Sequence, residues 1–140
     1  PEFIRREQRR EFVRVPVVLD AQIACNPTAP DAATDEWVTV VAGDISGGGV
    51  SLFIWNKDAP MWLANGRRIC VALPIGPDGS TVKVMGQVVR LEKPEEGPSD
   101  GVNVGVRFME ISESERRVII RFVFDRQREL IRKSAQRSDD

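Results

Sequence analysis

The sequence predicts an all-β domain with one C-terminal helix: a six-stranded antiparallel β-barrel capped by that helix. Three observations carry the prediction. Apolar residues alternate strictly from Val13 to Cys25. Turn signals, among them a glycine run, Asn65-Gly66 and Asp78-Gly79, separate further short apolar runs. After Phe108 the apolar period changes once, from two to about 3.6. The 140 residues suit one domain, large enough to bury a core without disulfide or metal staples.

Each element has its own signal. In the first strand Val13, Val15, Val17, Leu19, Ala21, Ile23 and Cys25 share one face. Arg14, Pro16, Val18, Asp20, Gln22 and Ala24 share the other, so one face is buried. Pro16 is compatible with a strand edge. Asn26-Pro27 ends the strand, and a loop runs through Asp35. Trp37–Ile45 is the second strand, and Val50–Trp55, across a Gly-rich turn, is the third. Arg67–Ile75 is the fourth, and the Asp78-Gly79 hairpin joins it to the fifth, Thr81–Leu91. Residues 93–101 form a polar loop. The sixth strand sets Val102, Val104, Val106 and Phe108 against Asn103, Gly105 and Arg107.

Ser112 and Glu115 then form a capping box, which opens a helix over Glu113–Lys133. Its residues Ile119, Phe122 and Val123 are expected to pack on the barrel, and Arg126, Arg128, Arg132 and Lys133 to be solvated. Trp37, Trp55 and Trp62 read as packing residues. Trp62, in an irregular segment, is the outside candidate for a partner contact.

Residues 1–11 read as a flexible Arg-rich arm whose opening Pro1-Glu2-Phe3 looks like a cloning remnant. Residues 12–134 are the domain, with the barrel over 12–110 and the helix over 113–133. Residues 135–140 read as a disordered tail.

Composition excludes much chemistry. The absence of His removes the commonest general base and metal ligand, together with every Ser/His or Cys/His pair. Cys25 and Cys70 lack metal-ligand spacing, so no metal is expected. Two free thiols fit a reducing compartment, which makes the protein cytoplasmic; a disulfide between them is the lesser alternative. No apolar stretch is long enough to span a membrane. The net charge of −1 hides basic ends. Residues 5–14 hold Arg5, Arg6, Arg9, Arg10 and Arg14 against Glu7 and Glu11, which suggests an anionic ligand rather than duplex DNA.

Two motifs carry function. Arg9-Arg10-Glu11-Phe12-Val13-Arg14 holds an Arg-x-x-x-Arg pair, Arg10 and Arg14. By itself it reads as a solvated charge run. Asp44-x-Ser46-x-x-Gly49 by itself reads as a capped turn. A guanidinium fork can pair with phosphate or with guanine O6 and N7, and can stack on a base. An ionised Asp accepts from guanine N–H groups, Ser46 can bond a phosphate or base edge, and Gly49 leaves room for a ligand or backbone. The set suits a purine nucleotide.

In this order and context the two motifs resemble the PilZ domain, the bacterial receptor module for cyclic di-GMP. Gly105-Val106-Arg107-Phe108, then Ile111-Ser112-Glu113-Ser114-Glu115, then a helix through Phe124-Asp125-Arg126, resembles the YcgR-type flagellar brake group. The likeness runs from about residue 6 to 133. It implies a non-enzymatic receptor with no cofactor besides its ligand, cyclic di-GMP, and a site made of Arg9, Arg10, Arg14, Asp44, Ser46 and Gly49. Arg9 before the motif implies an intercalated dimer of the dinucleotide. Ligand binding would order the arm and signal to an upstream domain or to a flagellar or biofilm partner, and the chain would be the C-terminal part of a longer protein. Two alternatives remain: a PilZ-like interaction module that binds no nucleotide, and a barrel that binds single-stranded nucleic acid. The second needs surface aromatics among basic residues, and aromatics make up 6% of the chain.

Overall fold

The computed structural model describes residues 13–25, 37–94 and 100–139, with side chains up to Ala135. Six strands form a closed antiparallel barrel: β1 (Val15–Cys25), β2 (Val38–Ser46), β3 (Gly49–Trp55), β4 (Arg68–Leu73), β5 (Val82–Glu92) and β6 (Gly101–Phe108). Their order around the barrel is β1-β2-β3-β6-β5-β4. One helix, α1 (Glu113–Asp139), follows.

The period-two pattern explains closure. Val15, Ile45, Val50, Val106 and Val88 pair in register across β1, β2, β3, β6 and β5. All five are buried, and they form one inward belt. Fully burying each such side chain is worth roughly 1.5–3 kcal/mol. Among the described residues closure also leaves no free sheet edge to recruit other chains.

Turn chemistry follows the sequence. Asp78 and Gly79 both take left-handed backbone, at φ 58° and 76°, the geometry an Asp-Gly hairpin turn requires. At α1, the Glu115 amide donates to Ser112 Oγ at 3.1 Å, and the Ser112 amide donates to Glu115 Oε1 at 2.9 Å. The capping box is therefore complete in both directions.

Ile119 and Val123 enter the barrel core, with Phe122 partly buried beside them. The helix runs to Asp139, beyond the end expected near Lys133 and into the segment read as a tail. Ser134-Ala135-Gln136-Arg137-Ser138 contains no Gly or Pro to stop it. The Arg126 guanidinium is more enclosed than expected, donating to Glu129 at 3.0 Å, whereas Arg128, Arg132 and Lys133 are exposed.

Trp37 lies under the Lys83 ammonium, and Trp62 packs on the core. Trp55, edge-on to Phe53, is the most exposed of the three. Both cysteines are free. Cys25 pairs with Ile69 and Cys70 with Ala24 on neighbouring strands. These adjacent register positions direct the two thiols to opposite faces of the sheet, which rules out the disulfide alternative. Among the described residues no helix is long and apolar enough to cross a membrane.

Candidate functional site

The outer face of β2, β3, β6 and β5 carries a groove of about 400 Å³. Its lining includes Arg14, Ser46, Gly49, Ser51, Arg90 and Arg107. Three separate sequence features assemble it.

The first is a pair of β-bulges. Strict alternation from the buried Val40 and Ala42 would turn Asp44 into the barrel. Gly43 is an extra residue between the pairs Ala42–Leu52 and Asp44–Ser51, so Asp44 faces outward instead. β5 repeats the device. Val84 and Val88 point inward, and continued alternation would bury Arg90. Val89 is the extra residue between the pairs Val88–Val106 and Arg90–Gly105, and Arg90 emerges on the outer face.

The second is the two-residue turn between Ser46 and Gly49, which pair directly. Ser46 is buried, and its hydroxyl is engaged within the turn. It accepts from the Gly48 amide at 3.1 Å and donates towards the Gly49 carbonyl at 3.5 Å. A hydroxyl has one proton, so a lone pair is what Ser46 retains for another group. The Phe108 amide donates to the Gly48 carbonyl at 2.9 Å and ties the turn to β6. Gly49 is required by that approach, since a Cβ there would lie 2.3 Å from the Val106 carbonyl oxygen. Of the two uses open to Gly49, close backbone approach is the one the fold makes.

The third is Arg14, which stands just ahead of β1. Its Nη1 donates to Asp44 Oδ1 at 3.1 Å and to Ser51 Oγ at 3.3 Å. The pair is half-exposed, so it orients the guanidinium at the groove more than it stabilises the barrel. Arg14, Asp44, Ser46 and Gly49 are thus brought together at one end of the groove. Arg9 and Arg10 lie outside the described residues.

The structure adds groups that the motifs did not name. Arg90, Arg107, Ser51 and Gly105 share the groove. Arg107 contacts Met109 Sδ at 3.7 Å, a weak acceptor. The groove is therefore a cationic trough with a floor of small residues and one carboxylate at its rim. That arrangement suits a planar or cyclic anion with hydrogen-bonding edges.

The model of the PilZ domain family matches residues 8–125. The chain belongs to the PilZ family. Cyclic di-GMP receptors define this family, and the closed barrel with its C-terminal helix is the PilZ fold. Curated protein sequences give no match. Among solved structures, the PilZ domain with c-di-GMP of YcgR from Escherichia coli superposes with a TM-score of 0.67 at 20% identity, covering 91% of this chain and 98% of that one. The Bacillus subtilis inhibitor of motility MotI/DgrA gives 0.65 at 19% identity, covering 86% and 51%. The K. pneumonia MrkH–c-di-GMP complex gives 0.66 at 17% identity, covering 90% and 55%. This PilZ chain spans about half the length of the MotI/DgrA and MrkH chains.

Proposed function

We propose that this PilZ domain is a cyclic di-GMP receptor that performs no chemistry of its own. The observation that carries the reading is the Arg14–Asp44 contact at the rim of a groove that also holds Arg90 and Arg107. The Arg14 fork offers donors to a phosphate or a guanine Hoogsteen edge. Asp44 offers acceptors to guanine N–H groups. Ser46 and Gly49 shape the turn between them.

In this reading Arg9 and Arg10 complete the site from the N-terminal arm, and an intercalated dimer of the dinucleotide occupies it. Ligand favours the arrangement in which the arm lies over the groove, so the signal is a population shift. It passes to a neighbouring domain or protein partner that controls motility or biofilm formation. The free thiols fit a cytoplasmic setting.

Calorimetric titration with cyclic di-GMP tests this directly. Two ligands per chain are expected. Absence of binding to folded protein, or displacement of the ligand by a short single-stranded oligonucleotide, overturns it.

A further inference from the structure

One cross-strand row runs the width of the groove. Asp44 pairs with Ser51, Ser51 with Gly105, and Gly105 with Arg90. The row begins with a carboxylate and ends with a guanidinium, and the two residues between them are small. Three interstrand steps separate its ends by about 14 Å.

Arg90 is placed by two independent features. The bulge at Val89 turns it outward. Gly105 then lets it lie down: a Cβ at residue 105 would meet Arg90 Cβ at 3.2 Å, Nε at 3.4 Å and Cζ at 3.5 Å. The guanidinium therefore rests across the bare backbone of β6. Its neighbour of opposite charge, Glu92, stands 3.9 Å from Nε, beyond hydrogen-bond distance. Arg107 lies one outward register position further along β6, paired with Gly49.

We propose that Arg90 is a ligand-binding residue at the far wall of the groove, contacting the part of a cyclic dinucleotide remote from Asp44. The inference rests on the cyclic di-GMP reading above and assigns the side of the site that neither sequence motif covers. A ligand with two phosphates and two guanines needs cationic or stacking groups at both ends of its footprint. Arg14 serves one end. The planar Arg90 fork, seated flat over Gly105 and held by Glu92 in a long, exposed ion pair, serves the other by phosphate pairing or by stacking on a base.

Calorimetry on the full chain tests this with Arg90→Ala and Arg90→Gln. Arg68→Ala is the control, since it removes the same charge from an exposed pair with Glu110 outside the groove lining. Both Arg90 variants should bind cyclic di-GMP at least tenfold more weakly than wild type, while Arg68→Ala binds as wild type. Circular dichroism confirms that each is folded; Arg90→Gln keeps the side chain over Gly105 should the alanine fail. A loss smaller than tenfold in folded variants, beside a wild type that binds, overturns the Arg90 assignment alone. A wild type that takes up no ligand overturns the receptor reading itself.

Discussion

The Arg14 guanidinium spans two strands, donating to Asp44 on β2 and to Ser51 on β3 from a single nitrogen, Nη1. One cation thereby ties the two strands at the rim of the groove, and more than half of its side chain stays exposed. Arg14→Ala should weaken cyclic di-GMP binding by about 2 kcal/mol or more, because charged hydrogen bonds to phosphate or guanine are lost. The barrel should lose no more than about 1 kcal/mol, since the Asp44 pair is half-exposed and screened. Calorimetry and urea unfolding on the same preparation separate the two. Equal losses in both would make Arg14 a structural residue.

Gly43, at the β2 bulge, and Gly49, at the start of β3, meet different surroundings. A Cβ at Gly43 finds nothing within 4 Å, whereas one at Gly49 runs into the Val106 carbonyl. Gly49→Ala should therefore cost roughly 1–3 kcal/mol by forcing β3 from β6. Gly43→Ala should stay within about 0.5 kcal/mol. Urea midpoints for the two variants decide this, and identical midpoints would mean that β3 and β6 separate at no cost.

The strand faces were legible because Val15, Ile45, Val50, Val88 and Val106 announce their side by period alone, and Ser112 with Glu115 announces the helix start. The grouping of Arg14, Asp44, Ser46 and Gly49 in the candidate site was legible because Asp44, Ser46 and Gly49 lie within six positions, and Arg14 stands just ahead of a strand. Arg90 was hidden for a physical reason. It follows Val84, Gly86 and Val88 at the spacing of a buried residue, and only the extra Val89 turns it outward. A bulge changes pairing between strands, which one strand's sequence does not record. A charge continuing the otherwise apolar alternation of Val82, Val84, Gly86 and Val88 was the available signal. The helix end was missed because basic residues near Lys133 resemble a C-terminal turn, and nothing after them breaks helix.

Ser112→Ala removes the acceptor for the Glu115 amide and leaves one side of the capping box. The loss should be about 1 kcal/mol of global stability, because the first turn of α1 leads directly to Ile119 in the barrel core. Thermal unfolding measures it. An unchanged melting temperature would show that this first turn frays without loosening the barrel.

Cys70 gives the fold an alkaline sensitivity. Burial raises its thiol above the ordinary 9.0; Lys83 opposes that rise and Glu115 adds to it. The folded chain therefore keeps this proton to a higher pH than the unfolded chain does. Between 9.0 and the higher folded value, the unfolded state binds fewer protons, so stability falls as pH rises. Below 9.0 both states hold the proton and the contribution is fully present. Urea unfolding at about pH 8 and about pH 10 should show a larger loss for wild type than for Cys70→Ala, which lacks the titrating group. The same displacement keeps the thiolate scarce at neutral pH, so alkylation of Cys70 in the folded protein should be slower than in urea. Equal rates in the two states, or an alkaline loss that survives Cys70→Ala, would assign the sensitivity to another group.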